Sequence, residues 1–358
     1  MAEPIGVGVM GASPGNSWAA RAHIPALRTL PEFALRAVST SRADSAAAAR
    51  AEFGVPAYTD PAALLVDPGV DVVVISVRVP DHRELVEAAI AAGKAVYCEW
   101  PLGRDEAEAR HLAWLADKAE ARTAVGLQGR FSPVIEHVGA LVEAGRIGAP
   151  RSVSLTASSG AWGPVTSSRR AYMFDADAGA TTLAVPFVHA LDAVMAIVGE
   201  IVMVTAVTAV SRPTVYLEDT GSQLAVSAPD VVAVVGTTAG RVVVSAHVVG
   251  DVAVQPALRC HLHGTDGDMV VSGSTGNLQV AALRVAVRGR DGELEPADVP
   301  DDRPGLGPAS NVARLYSRLA ADLRSGSRTV PDFADAVRRH MLVSAVQLAA
   351  ESGVAQPL

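Results

Sequence analysis

Short, nearly continuous apolar runs alternate with helical patterns over the first third of the chain. Ile5–Met10 is such a run and stops at Gly11; Leu35–Ser39, the β-branched Val70–Val77, Ala95–Glu99 and Ala124–Leu127 follow. Between them lie helical stretches at Ala19–Thr29, Ser45–Phe53, Arg83–Ala92 and Asp105–Ala121. Apolar strands separated by helices are what a parallel sheet covered on both faces requires, because both faces of the pleat are then buried. Right-handed crossovers make such a sheet doubly wound and leave its ligand site at the carboxyl ends of the strands.

After about Gly129 the texture changes. A helical pattern at Pro133–Ala144 ends at Gly145, and strand patterns take over: Ser152–Ala157, Val202–Val210, Ser222–Val226, Val231–Val235, Val242–Val248 and Leu258–His263. Several alternate in character and are divided by Gly, Ser and Asp turns, which predicts a mostly antiparallel sheet. Helical patterns at Asn311–Ser325 and Phe333–Ala350 close the chain. The predicted fold class is α/β: a Rossmann, doubly wound parallel sheet over residues 1–128, then an α+β domain with a large antiparallel sheet over 129–358. The final helices are expected to pack back on the first domain.

Composition narrows the partners. The 358 residues are 49% hydrophobic and 19% charged, with a net charge of −8, which fits globular domains and disfavours a general nucleic-acid surface. No apolar run has membrane-spanning length, the N-terminus shows no basic region or cleavage site, and Cys98 and Cys260 are too few for a disulfide framework. A cytoplasmic protein with no membrane and no nucleic-acid partner is the expectation. Lys94 and Lys118 are the only lysines. Arginine stays protonated at ordinary pH, so candidate catalytic amines are scarce.

Strand one runs into Gly11-Ala-Ser-Pro-Gly-Asn-Ser-Trp-Ala19. A glycine-bearing turn between strand and helix offers backbone N–H groups and the positive end of the helix dipole to a pyrophosphate. The G-x-G-x-x-G spacing is not met, since Ser13 stands at the second glycine and the loop is two or three residues longer; Gly6-Val-Gly-Val-Met-Gly11 fits by letters but lies within the strand. Gly11, Ser13, Ser17 and Trp18 are the candidate cofactor contacts here, with Ser76 and Val77 at the end of a later strand. After strand two the chain reads Ser39-Thr40-Ser41-Arg42, with no carboxylate until Asp44. Hydroxyls and a guanidinium suit a 2′-phosphate, so NADP(H) is preferred and NAD(H) remains possible; an arginine capping a surface turn is the competing reading of Arg42.

With these pieces in order, the chain resembles the Gfo/Idh/MocA oxidoreductases, and within them the Gal80-like branch. The residues that carry the likeness are Gly11 through Arg21-Ala-His-Ile-Pro25, Val70–Val77, Val79-Pro-Asp-His82, Gly93-Lys-Ala-Val-Tyr-Cys-Glu99 and Gly126-Leu-Gln-Gly-Arg130. In the second half they are Gly179-Ala-Thr-Thr182, His189-Ala-Leu-Asp192 and His263-Gly-Thr-Asp-Gly267. The resemblance implies two domains, a nicotinamide cofactor and a sugar-like or other carbonyl or alcohol substrate. It also implies cofactor contacts at His82, Glu99, Trp100 and Gln128. Members of the family read Glu-Lys-Pro where this chain has Glu99-Trp100-Pro101, and carry an Asp where this chain has Val185. Of the implied Lys, Asp and His set, His189 alone is retained.

His189 and Tyr172 are the candidate proton donors. Trp100, Tyr172, His189 and Asp192 are the candidate substrate contacts, with Asp192 alternatively a capping or pairing partner of His189. His261 and His263 alternate on one strand, but no third ligand is identifiable, so no metal site is expected. An open apolar sheet face calls for a cover, which predicts a homodimer or homotetramer through the C-terminal sheet. Two readings stand: an NAD(P)-dependent oxidoreductase with an atypical site, or a Gal80-like dinucleotide-binding regulator without catalysis.

Overall fold

A computed structural model describes residues 3–251 and 257–358. The chain divides into two compact units, residues 1–128 with 303–338, and residues 129–302 with 339–358.

The first unit holds a six-stranded parallel sheet: β1 (Ile5–Met10), β2 (Phe33–Ser39), β3 (Ala57–Tyr58), β4 (Val72–Ile75), β5 (Ala95–Cys98) and β6 (Thr123–Val125). Their order is β3-β2-β1-β4-β5-β6, and every neighbouring pair is parallel. Helices α1 (Ile24–Arg28), α2 (Ala43–Phe53), α3 (Pro61–Leu65), α4 (His82–Ala91) and α5 (Glu106–Lys118) connect them, and α8 (Ala309–Ser325) returns from far along the sequence to pack on α1. All four residues of β4 are buried, the expected state of a central parallel strand. The strand order reverses between β1 and β4, and in such sheets ligands bind outside the carboxyl ends at that reversal.

Among its described residues the second unit contains α6 (Pro133–Glu143), α7 (Val188–Val198) and twelve strands. These are β7 (Pro150–Ser158), β8 (Val165–Thr166), β9 (Ile201–Ala209), β10 (Thr214–Leu217), β11 (Ser222–Ala225), β12 (Val231–Thr238), β13 (Val243–Val249), β14 (Leu258–Gly264), β15 (Asp268–Gly273), β16 (Leu283–Arg288), β17 (Glu295–Ala297) and β18 (Gln356–Pro357). Nine of them form one sheet in the order β17-β16-β15-β14-β7-β13-β12-β9-β18, antiparallel except where β7 meets β13. Strands β11, β10 and β8 make a small second sheet. Burial alternates along β7, β12, β13 and β14, so one face of the large sheet is covered and the other is not. Helix α9 (Phe333–Ser352) begins in the first unit and ends in the second. Among the described residues no helix is long and apolar enough to cross a membrane.

Candidate functional site

The chain turns sharply at the end of β1. Gly11 has φ +85°, and a Cβ there would lie 2.3 Å from the Ser76 carbonyl oxygen, so only glycine fits between β1 and the end of β4. Gly15 also has positive φ (+83°) but faces open space. Ser17 closes the loop: its hydroxyl donates to the Ser13 carbonyl at 2.5 Å and accepts from the Ala20 N–H at 3.2 Å. The helix then starts with a π turn at Ala19–His23 before α1. Pro25 supplies a physical reason, since it has no N–H to give to the carbonyl four residues back. Two buried polar atoms around the turn, Ser76 Oγ and Trp18 Nε1, have no hydrogen-bond partner among the described residues.

At the end of β2, Thr40 is buried while Ser41 and Arg42 are exposed. The Ser45 hydroxyl lies 2.9 Å from Thr40 Oγ1, and Arg42 Nε donates to Asp44 Oδ1 at 3.0 Å. That hydrogen bond is the main reason the Asp44 carboxyl is held below its ordinary range. Val77 is half-buried beyond β4.

Beyond β5 come Glu99, Trp100 and Pro101, with a cis Trp100–Pro101 peptide. Trp100 is 5% exposed and Glu99 is partly exposed. The Glu99 carboxylate rests on Gly126, where a Cβ would come within 2.6 Å of Oε1. Behind Glu99 sits a buried group the sequence did not single out: His23 Nε2 is 3.1 Å from Glu99 Oε1 without hydrogen-bond alignment, and His23 Nδ1 is 2.8 Å from the Tyr316 hydroxyl. Tyr97 and Tyr316 pack edge-on against the His23 ring. Burial, then the charge of Glu99, pushes both phenols well above their ordinary pKa, so neither is a ready acid at neutral pH.

His82 is 1% exposed, with Nδ1 2.9 Å from the Pro101 carbonyl and Nε2 3.3 Å from that of Val77. Burial lowers its pKa. It holds two carboxyl-end loops together and faces the chain's own carbonyls. Gln128 is 1% exposed, and its Oε1 has no partner among the described residues. Lys94 lies at the amino end of β5 and donates to the carbonyls of Asp67 and Val70 at 3.1 and 2.7 Å.

In the second unit, His189 sits in the first turn of α7, 3% exposed, after a π turn at Leu183–Phe187 that contains Pro186. Tyr172 is partly exposed in the short turns of Ser168–Phe174. Asp192, expected beside substrate or paired with His189, is instead 1% exposed and taken by two arginines. Arg130 reaches it at 3.0 and 2.5 Å and Arg339 at 2.8 Å, while Arg339 also clamps Glu200 with two 2.7 Å bonds. Burial alone would raise the Asp192 pKa; Arg130 and then Arg339 outweigh it and hold the carboxyl below its usual value. Its two oxygens accept three hydrogen bonds from guanidinium groups, which gives Asp192 a structural role.

Comparison with known proteins agrees with this architecture. Residues 5–127 match the Gfo/Idh/MocA oxidoreductase family with its NAD-binding Rossmann fold, and residues 133–273 match the Gal80p C-terminal domain. Dehydrogenase aclE of Aspergillus oryzae is 32% identical over 231 residues, 63% of this chain and 63% of aclE. The galactose/lactose metabolism regulatory protein GAL80 of Kluyveromyces lactis is 27% identical over 306 residues, 78% of this chain and 66% of that protein. Each alignment therefore spans just under two thirds of the relative's length. A super-repressor mutant of Gal80p from Saccharomyces cerevisiae has the same fold, with a TM-score of 0.90, 22% identity and 99% of both chains covered. The two matches follow one another along a single chain, which therefore carries a Rossmann domain of the Gfo/Idh/MocA oxidoreductase type and a domain of the Gal80p C-terminal type.

Proposed function

We propose that the chain binds a nicotinamide dinucleotide at the carboxyl ends of its parallel strands and is an oxidoreductase for a sugar, polyol or related carbonyl compound, with NADP(H) preferred over NAD(H). One observation carries the reading: at the strand-order reversal, Gly11 leaves no room for a side chain, and Ser76 Oγ and Trp18 Nε1 are polar atoms without partners among the described residues. Buried polar groups are normally hydrogen-bonded, so these atoms fit a polar ligand. When bound, the dinucleotide supplies or accepts the hydride.

The remaining work falls to the chain's own groups. The Gly11 turn and Ser17 orient the loop, and Glu99 offers a carboxylate for a ribose or amide contact. Trp100 gives an apolar surface and one N–H, but no titratable proton where the family has lysine. The proton that accompanies hydride transfer is assigned to His189, with Tyr172 second.

A second reading, a dinucleotide-binding regulator without turnover, is favoured by Trp100 and by the Gal80-like second half. Fluorescence titration with NADPH and NADH, followed by turnover on a panel of keto-sugars and polyols, separates them. Binding with turnover supports the enzyme, and binding without turnover supports the regulator. No uptake of either nucleotide overturns both. Under the enzyme reading, Trp100→Lys raises kcat.

A further inference from the structure

Strand β14 carries two histidines on one face, and the hairpin into β15 provides what the sequence alone leaves missing. Residues two apart on a strand share a face, and the His261 and His263 rings lie with centroids 3.7 Å apart. In the antiparallel register His263 stands opposite Asp268. Asp268 Oδ1 is 2.7 Å from His263 Nδ1 and 3.5 Å from His261 Nε2, and one ligand atom from each residue lies within 4.8 Å of the other two. On the next strand Arg288 pairs with Asp268 and bonds its other oxygen, Oδ2. That contact fixes the carboxylate with Oδ1 turned to the histidines. The side chains of His261, His263 and Asp268 are 28%, 42% and 10% exposed, so an ion reaches them from solvent.

We propose that His261, His263 and Asp268 bind a divalent transition-metal ion of the zinc class on the uncovered face of the large sheet. Two imidazoles and one carboxylate suit zinc, cobalt or nickel and disfavour magnesium and calcium, which take oxygen ligands. With bonds of about 2.0–2.1 Å, ligand atoms of a tetrahedral site stand about 3.3 Å apart. The His261–Asp268 spacing is already close to that, and the His263–Asp268 spacing opens by roughly half an ångström through rotation of an exposed ring. Arg288 opposes the ion by charge, so the site is weaker than a closed structural zinc site. Three protein ligands leave a coordination position for water or another donor.

The test uses full-length, tag-free protein titrated with Co²⁺, read by its visible d–d absorption, and with Zn²⁺ in competition against a chelating dye. One ion binds per chain, excess Mg²⁺ does not displace it, and His261→Gln and His263→Gln each weaken binding by at least about tenfold. His247→Gln, an exposed histidine on β13, changes nothing. Absence of a Co²⁺ spectrum, or equal binding by wild type and the double variant His261→Gln/His263→Gln, overturns the proposal. Both positions are surface-accessible, so circular dichroism of the variants separates lost binding from lost folding.

Discussion

Each unit holds a cluster of ionisable side chains around a buried group, with Glu200 half exposed at the edge of the second cluster, and the two are wired differently. In the second unit Asp192 takes Arg130 and Arg339, and Arg339 takes Glu200, so positive and negative groups alternate through the cluster. In the first unit the cluster is one carboxylate, one histidine and two phenols. His23 Nε2 and Glu99 Oε1 are close but unaligned, the Tyr97 hydroxyl meets no aligned partner among the described residues, and the Glu99 side chain is 14% exposed. A closed network uses its hydrogen-bonding capacity on itself, whereas an open one at the tip of a strand keeps capacity for a ligand. Both carry motif residues of the family resemblance, and the open one keeps hydrogen-bonding capacity in hand.

The largest effect is expected from the closed network. Asp192→Ala leaves two arginines beside an emptied, buried position and costs about 3–5 kcal/mol of unfolding free energy, read by denaturant titration. The depressed pKa also gives a pH signature. Because the folded value lies below the unfolded one, the contribution is complete above the ordinary carboxylate range and is lost as pH falls through the folded value. Asp192→Asn therefore flattens the acid limb of the stability profile. A loss below about 1 kcal/mol for the alanine variant would mean the network is not closed in solution.

Glu99→Gln is the matching experiment in the open cluster, and its effect is divided the other way. Stability falls by about 1 kcal/mol at most, while dinucleotide affinity or turnover falls at least about tenfold with the loss of a charged acceptor. Equal stability losses for Glu99→Gln and Asp192→Ala would erase the distinction between the clusters. Tyr316→Phe comes next: it removes the partner of His23 Nδ1 but keeps the ring packing, for about 1 kcal/mol of stability. Its informative outcome is a change in dinucleotide binding, since the Tyr316 hydroxyl holds His23, whose Nε2 lies 3.1 Å from Glu99 Oε1.

How much of this was legible in the sequence follows the range of the interactions. Strand β1 spans the residues its apolar run predicts, and β2, β4, β5 and β6 agree to within one or two residues at most ends, because a doubly buried strand declares itself by local hydrophobicity. Strands β10, β15 and β16 are not legible in the same way. Thr214–Leu217 follows a proline, and Asp268–Gly273 and Leu283–Arg288 are short, polar-flanked segments held by pairing with neighbours. The site divides similarly. The Gly11 turn is a local feature and was predicted. His23 lay within a recognised motif, but its role depends on Tyr316, 293 residues away. Asp192 looked like a partner for His189 three residues earlier, yet Arg130 and Arg339, 62 and 147 residues distant in sequence, take it. Asp268 becomes a neighbour of His263 only through hairpin register.

The smallest stability effect, and the sharpest on cofactor choice, belongs to a charged pair outside both clusters. Arg42 and Asp44 are 72% and 71% exposed and pair at 3.0 Å, so removing the arginine changes stability by no more than about 0.5 kcal/mol. Under the proposed NADP(H) preference its charge would serve a 2′-phosphate, while its hydrogen bond keeps Asp44 occupied. Arg42→Ala acts on both at once: NADPH loses a charge-assisted contact, and Asp44 is released to accept from the ribose hydroxyls of NADH. NADPH affinity then falls by about tenfold or more, while NADH affinity holds or rises. Opposite movement of the two affinities identifies Arg42 as the selector. A parallel loss of both would assign it to the turn that starts α2, leaving the preference between the cofactors to the buried hydroxyl of Thr40 and its neighbour Ser45.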